Sequence, residues 1–155
     1  MELDKTDKAI LNIIQGNARI SHKEISEKLY LTRTPIFERI KKMERAGIIS
    51  KYITLLNPKK INRDLHVFCF VTIAKHGLNY VNDFQNQVAK FKVVMECFHV
   101  AGNFDFLMKV MVKDVNEYQQ FVLTELSTIK NISHVQSSFV LGELKHELAF
   151  EFGDS

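Results

Sequence analysis

The run Leu65-His66-Val67-Phe68-Cys69-Phe70-Val71-Thr72-Ile73-Ala74 places the tightest limit on the fold. Its apolar side chains fall on both faces of an extended chain, so a strand here must be covered on both sides. One cover follows directly: Leu78, Val81, Phe84, Val88 and Phe91 recur at helical spacing. Two β-rich runs, Val94–Ala101 and Phe104–Val112, then flank Gly102-Asn103, a dipeptide suited to a two-residue hairpin. Asp114 with Glu117 opens another helix, which carries Val115, Tyr118, Val122 and Leu126, and Ile132–Leu141 reads as a last strand. The order β-α-β-β-α-β is the split βαβ, or ferredoxin-like, arrangement. Helices cover only one face of such a sheet. The apolar groups on the other face call for a second copy of the chain, most simply in a twofold dimer.

The N-terminal third has a different rhythm, that of three short helices. Asp4 is a good N-cap for a helix to Gln15, which buries Ile10, Leu11, Ile13 and Ile14 and stops at Gly16-Asn17. Ser21 and Glu24 form an S-x-x-E capping box, with Ile20 and Ile25 as its hydrophobic staple; this second helix ends near Tyr30. The third begins around Thr32–Pro35, where a proline in the first turn costs little, and runs to Ala46 with Gly47 as its C′ residue. Such lengths and turns match a helix-turn-helix. On the third helix Ile36, Ile40 and Met43 share one face. Thr34, Glu38, Lys41 and Arg45 share the opposite face, flanked by Lys42, with Arg33 and Pro35 at its start. These seven polar and first-turn residues are the DNA-binding candidates: cations for phosphates, and forked or short polar groups for base edges. A solvated face would show the same pattern. After Gly47, the β-rich stretch 48–56 is a wing or a strand leaving the domain.

Charge separates the two parts. The chain carries a formal +3. Residues 1–63 hold 14 Lys+Arg against 7 Asp+Glu, and residues 64–155 hold 7 against 11. A basic N-terminal third suits a polyanionic partner, and the change of sign falls near Asn57-Pro58-Lys59-Lys60. No apolar run approaches the ~18 residues of a membrane span, and the start is no signal peptide, so a cytoplasmic protein is expected. Cys69 and Cys97 lie in apolar runs without CxxC spacing and read as buried, reduced thiols. The six histidines have no H-x-x-H or H-E-x-x-H spacing, and neither a phosphate loop nor a G-x-S-x-G elbow is present. Neither an enzyme nor a metal or other cofactor is expected.

Five stretches carry a further signal: Leu3-Asp4-Lys5-Thr6-Asp7-Lys8-Ala9-Ile10-Leu11, Ala18-Arg19-Ile20-Ser21, Thr34-Pro35-Ile36-Phe37-Glu38-Arg39-Ile40-Lys41-Lys42-Met43-Glu44, Leu55-Leu56-Asn57-Pro58, and Val100-Ala101-Gly102-Asn103-Phe104-Asp105-Phe106-Leu107. Collinear from residue 3 to about 148, the chain resembles the Lrp/AsnC (leucine-responsive/asparagine) family of transcription factors. The resemblance implies an α+β protein: a winged helix-turn-helix at 1–50, a hinge strand and linker at 51–63, and a ferredoxin-like effector-binding and oligomerisation domain at 64–155. It also implies double-stranded DNA as partner and a homodimer that assembles into tetramers or octamers. The effector it implies is a small molecule, typically an amino acid, whose identity stays open.

From pattern alone Gly102-Asn103-Phe104-Asp105 is a tight turn; in the resembled family this hairpin lines the effector pocket. An amino acid needs a carboxylate for its ammonium and donors for its carboxylate. Asp105 offers the first, while amides near Gly102 and the hydroxyls of Ser137 and Ser138 offer the second, although two serines on a strand are ordinary. By alternation Asp105 should face away from both Phe104 and Phe106. Two residues depart from the family pattern. Tyr30 occupies a turn position where glycine is common, and Asn103 one where aspartate is common. The rival reading is a stand-alone small-molecule-binding module of ferredoxin-like fold with a basic protein-docking domain.

Overall fold

A computed structural model describes residues 1–153. They form two compact units: Met1–Leu55 with the tail from Lys145, and Leu56–Leu144.

In the first unit α1 (Lys5–Gly16), α2 (His22–Leu29) and α3 (Arg33–Arg45) follow the sequence signals closely. First-turn amides lack intrahelical acceptors, and side chains supply them. Asp7 N–H donates to Asp4 at 2.8 Å while Asp4 N–H donates to the Asp7 carboxylate at 3.2 Å. Ser21 and Glu24 repeat this reciprocal cap on α2. That helix ends at Tyr30 with φ 54° and ψ 38°, so the residue does occupy the left-handed region where glycine is cheaper. Gly47, at φ 71°, closes α3: its N–H reaches Glu44 O and Ile48 N–H reaches Met43 O, each at 3.0 Å, which is a Schellman motif. The three helices bury Ile10, Leu11, Ile14, Ile25, Ile36, Ile40 and Met43. Full burial of such a side chain contributes about 1.5–3 kcal/mol.

Arg39 ties α3 to α1. Its guanidinium lies 2.6 Å from Asp4 and 2.7 Å from Asp7, and Asp7 is buried.

Two expectations need correction here. No strand forms over 51–57, and Tyr52, Ile53, Leu55 and Leu56 are exposed. Strand hydrogen bonds need a partner edge, and among the described residues no strand pairs with this stretch. The remainder of the expected hinge is a short 3₁₀ turn, Pro58–Ile61, capped by the Asn57 side chain. The C-terminal tail also groups with the first unit instead of completing the second. The amides of Asn12 and Gln15, one helical turn apart on α1, each bond both the N–H and the C=O of a tail residue, Phe152 and Phe150 respectively.

The second unit is a four-stranded antiparallel sheet in the order β2-β3-β1-β4, with β1 Leu65–Ile73, β2 Val94–His99, β3 Phe106–Val112 and β4 Ile132–Phe139. This is the ferredoxin-like order. α4 (Leu78–Val88) and α5 (Val115–Gln120) cover one face. The chain beyond α5 widens into a π-type turn at Phe121–Glu125 and tightens again at Leu126–Thr128, which keeps Phe121, Leu126 and Ile129 in the core. Val67, Cys69, Val71 and Ile73 of β1 meet Phe106, Met108, Val110 and Val112 of β3 beneath the helices. Alternation sends Phe68, Phe70, Leu107 and Phe98 to the other face, where Phe68 and Phe98 are exposed.

Cys69 is buried as expected, but Cys97 is exposed, because β2 is an edge strand and burial there depends on neighbours the sequence does not specify. The β2–β3 connection also spans 100–105, longer than the two residues expected. Its two ends are tied together, since Val100 N–H bonds Asp105 O at 2.9 Å, and to β1, since Asp105 N–H bonds Val71 O at 3.0 Å. Among the described residues no helix is long and apolar enough to cross a membrane.

Candidate functional site

With Ile36, Ile40 and Met43 buried, α3 turns Arg33, Thr34, Glu38, Lys41, Lys42 and Arg45 to solvent; Pro35 is half-buried at the first turn. Lys41 is not idle in this state. Its ammonium lies 2.8 Å from Glu44, whose carboxylate also accepts from the Tyr52 hydroxyl at 3.1 Å. These two bonds, Lys41 first, hold the Glu44 carboxyl below its ordinary value. A phosphate approaching Lys41 therefore competes with Glu44. Lys42 and Arg45 point outward beside it. Pattern reading passed over Phe37, which is apolar yet 46% exposed on this helix, with its ring edge-on to His22 at 5.5 Å and Lys41 Nζ 5.9 Å from its centroid. Its position, one turn after Thr34, was the available signal.

Gly102 and Asn103 are exposed at the tip of the 100–105 loop, and Phe104 and Asp105 are half-buried. The Asp105 carboxylate accepts from Ile73 N–H at 2.8 Å through one oxygen and faces His76 Nδ1 at 3.3 Å through the other. Phe104 packs on Phe70, with centroids 5.0 Å apart, whereas Phe106 stacks on Phe84 in the core. The two phenylalanines thus lie on different faces, because alternation starts only where β3 starts, at Phe106. Ser137 stands opposite Cys69, and its hydroxyl shares a hydrogen bond with Tyr118 at 2.5 Å on the helix side. Ser138, opposite Phe68, looks out from the other face. Ile73 and Phe68 are five residues apart along β1, about 17 Å at strand rise. Ser138 and the Asp105 carboxylate thus lie at separate positions along β1, one opposite Phe68 and the other at Ile73 N–H.

A separate groove of about 420 Å³ runs between α4 and β2, lined by Phe84, Val88, Met95, Cys97 and His99 among others, and excludes the loop tip. Among the described residues, no group of three or more His, Cys, Asp or Glu could hold a metal ion.

Comparison with known proteins matches both units. Residues 3–50 fit a winged helix-turn-helix DNA-binding domain, and residues 66–150 fit the Lrp/AsnC ligand binding domain. The leucine-responsive regulatory proteins of Klebsiella pneumoniae and Escherichia coli (strain K12) are each 33% identical over 144 residues, 93% of this chain and 88% of theirs. A transcriptional regulator of Neisseria meningitidis, solved in complex with L-Met, superposes with a TM-score of 0.91 at 38% identity, covering 96% of both chains. An AsnC family regulator of Agrobacterium tumefaciens reaches 0.89 at 32% identity, covering 94% of this chain and 96% of its own. A helix-turn-helix with an outward cationic face and a ferredoxin-like ligand-binding unit, collinear with these regulators throughout, place the chain in the Lrp/AsnC family of transcriptional regulators.

Proposed function

We propose that the chain binds specific duplex DNA sequences as a homodimer and that an amino acid adjusts its assembly or its DNA affinity. The face of α3 carries the first half of this reading: four exposed cations, Arg33, Lys41, Lys42 and Arg45, are presented beside Thr34 and Glu38 on a helix that buries Ile36, Ile40 and Met43 on its other side. Lys42→Ala should weaken binding to specific and random duplexes alike and flatten the salt dependence by about one unit. Thr34→Ala or Glu38→Ala should relax base preference instead. Unchanged operator affinity after joint substitution of Thr34, Glu38, Lys41 and Arg45 would refute the assignment.

The second half rests on Asp105 and the loop Gly102-Asn103-Phe104. One carboxylate oxygen is anchored by Ile73 N–H, while the other faces the exposed His76. An amino-acid ammonium can replace His76 there. The donors for the ligand carboxylate then come from amides near Gly102 and from another subunit, since Ser137 already bonds Tyr118 and Ser138 lies far along the sheet. The exposed Phe68 and Phe98 supply the surface for dimerisation, with tetramers or octamers built from dimers. The relative solved with L-Met makes methionine the first ligand to try. In a thermal-shift screen of the twenty amino acids, the one that binds should raise the melting temperature. Asp105→Asn should lower its affinity at least tenfold, about 1.4 kcal/mol. An equal response from the variant would move the pocket elsewhere.

A further inference from the structure

Phe37 is the fifth residue of α3, in the half that a recognition helix presents to base edges. The fold does not need it there: the three-helix core closes over Ile36, Ile40 and Met43, and the phenyl ring stays 46% exposed. Its neighbours nevertheless hold it in place, with the His22 ring edge-on at 5.5 Å and the Lys41 ammonium 5.9 Å from the centroid. At i+3 and i+4 spacing it adjoins Thr34, Lys41 and, across the turn, Arg33. A half-exposed aromatic ringed by polar and cationic groups suits a partner that is anionic at its rim and offers one apolar group within. Duplex DNA has that layout, with phosphates along the groove walls and the C5 methyl of thymine as the apolar group that projects into the major groove.

We infer that Phe37 is a specificity-determining residue that reads a thymine methyl in each half-site. This rests on the DNA-binding reading above and adds a base identity to it. The test uses the full-length chain and a duplex recovered from a randomised pool by repeated selection for binding. Each thymine is replaced in turn by deoxyuridine, which deletes only the methyl. At one position per half-site, deoxyuridine should weaken wild-type binding about fourfold, the worth of one buried methyl. Phe37→Ala should bind the thymine and uracil duplexes equally, and with an unchanged salt slope because no phosphate contact is lost. Phe37→Leu, which keeps an apolar tip and stays close to the native surface, should retain part of the discrimination. If no uracil substitution weakens the wild type, or if Phe37→Ala discriminates as well as the wild type does, the inference is wrong and DNA binding itself stands. If no duplex is selected at all, both readings fall together.

Discussion

Asp7→Asn preserves the shape of the side chain and removes its charge, at a position where both oxygens are committed. One accepts from Arg39 at 2.7 Å and the other from Asp4 N–H at 3.2 Å. An amide has only one acceptor oxygen, so its NH₂ must face one of these donors in a site where Asp7 is only 3% exposed. Breaking a fully buried ion pair costs about 3–5 kcal/mol. Here the loss is smaller, because the Arg39 side chain is one-third exposed and keeps Asp4 at 2.6 Å. One charged hydrogen bond is worth about 1.5–3 kcal/mol. With the donor–donor conflict added, we expect about 2–3 kcal/mol. For a unit of this size that lowers the melting temperature by roughly 10–20 °C. Urea unfolding of the full chain, followed by helical circular dichroism, would measure it. A cycle with Arg39→Gln should give a coupling of at least about 1 kcal/mol, since the two groups touch. A variant within about 0.5 kcal/mol of wild type, or additive single substitutions, would refute the view that this pair clamps α1 to α3.

Tyr30→Gly should stabilise the chain by about 0.5 kcal/mol. It relieves roughly 1–2 kcal/mol of left-handed strain, offset by about 0.4–1 kcal/mol of unfolded-chain entropy, and the 95% exposed side chain makes little to lose. Tyr30→Ala should change little, and a comparison of melting temperatures would expose an error in the strain argument if it stabilised equally. Glu44→Gln removes an anion that occupies Lys41, so random-duplex affinity in a fluorescence-anisotropy titration should rise two- to fivefold, about the worth of one surface ion pair; a fall would mean that Glu44 positions Lys41 productively. Several carboxyls among the described residues are depressed in the folded chain: Asp4 by Asp7 N–H and then Arg39, Glu24 by Ser21, Glu44 by Lys41, and Glu117 by Lys113 N–H and then Arg63. Their stabilisation is complete above the ordinary carboxyl values of 3.8 and 4.5 and is lost as pH falls through the lower folded values. Melting temperature should therefore hold steady from pH 7 to about 5 and drop below that; a rise on acidification would contradict these contacts.

Local chemistry made much of this protein legible from its residues alone. Ser21-x-x-Glu24, Asp4 and Gly47 mark helix ends because orphan amides and carbonyls need partners within one turn, and the structure places the ends there. The period of apolar residues set the order of strands and helices, and the outward face of α3 followed from the same periodicity. Tertiary structure decided what depends on distant neighbours. Arg39 belongs to the same helix as Lys41 and Lys42, but Asp4 and Asp7 turn it from a surface cation into a clamp. Cys97 lies in an apolar run yet is exposed, because strand order put β2 at an edge. Ser137 and Ser138 are adjacent in sequence and face opposite sides, and Tyr118 takes the first. The β-rich stretch after Gly47 keeps its strand-forming residues without becoming a strand, since extended backbone is completed only by hydrogen bonds to another edge, and no local pattern can supply that edge.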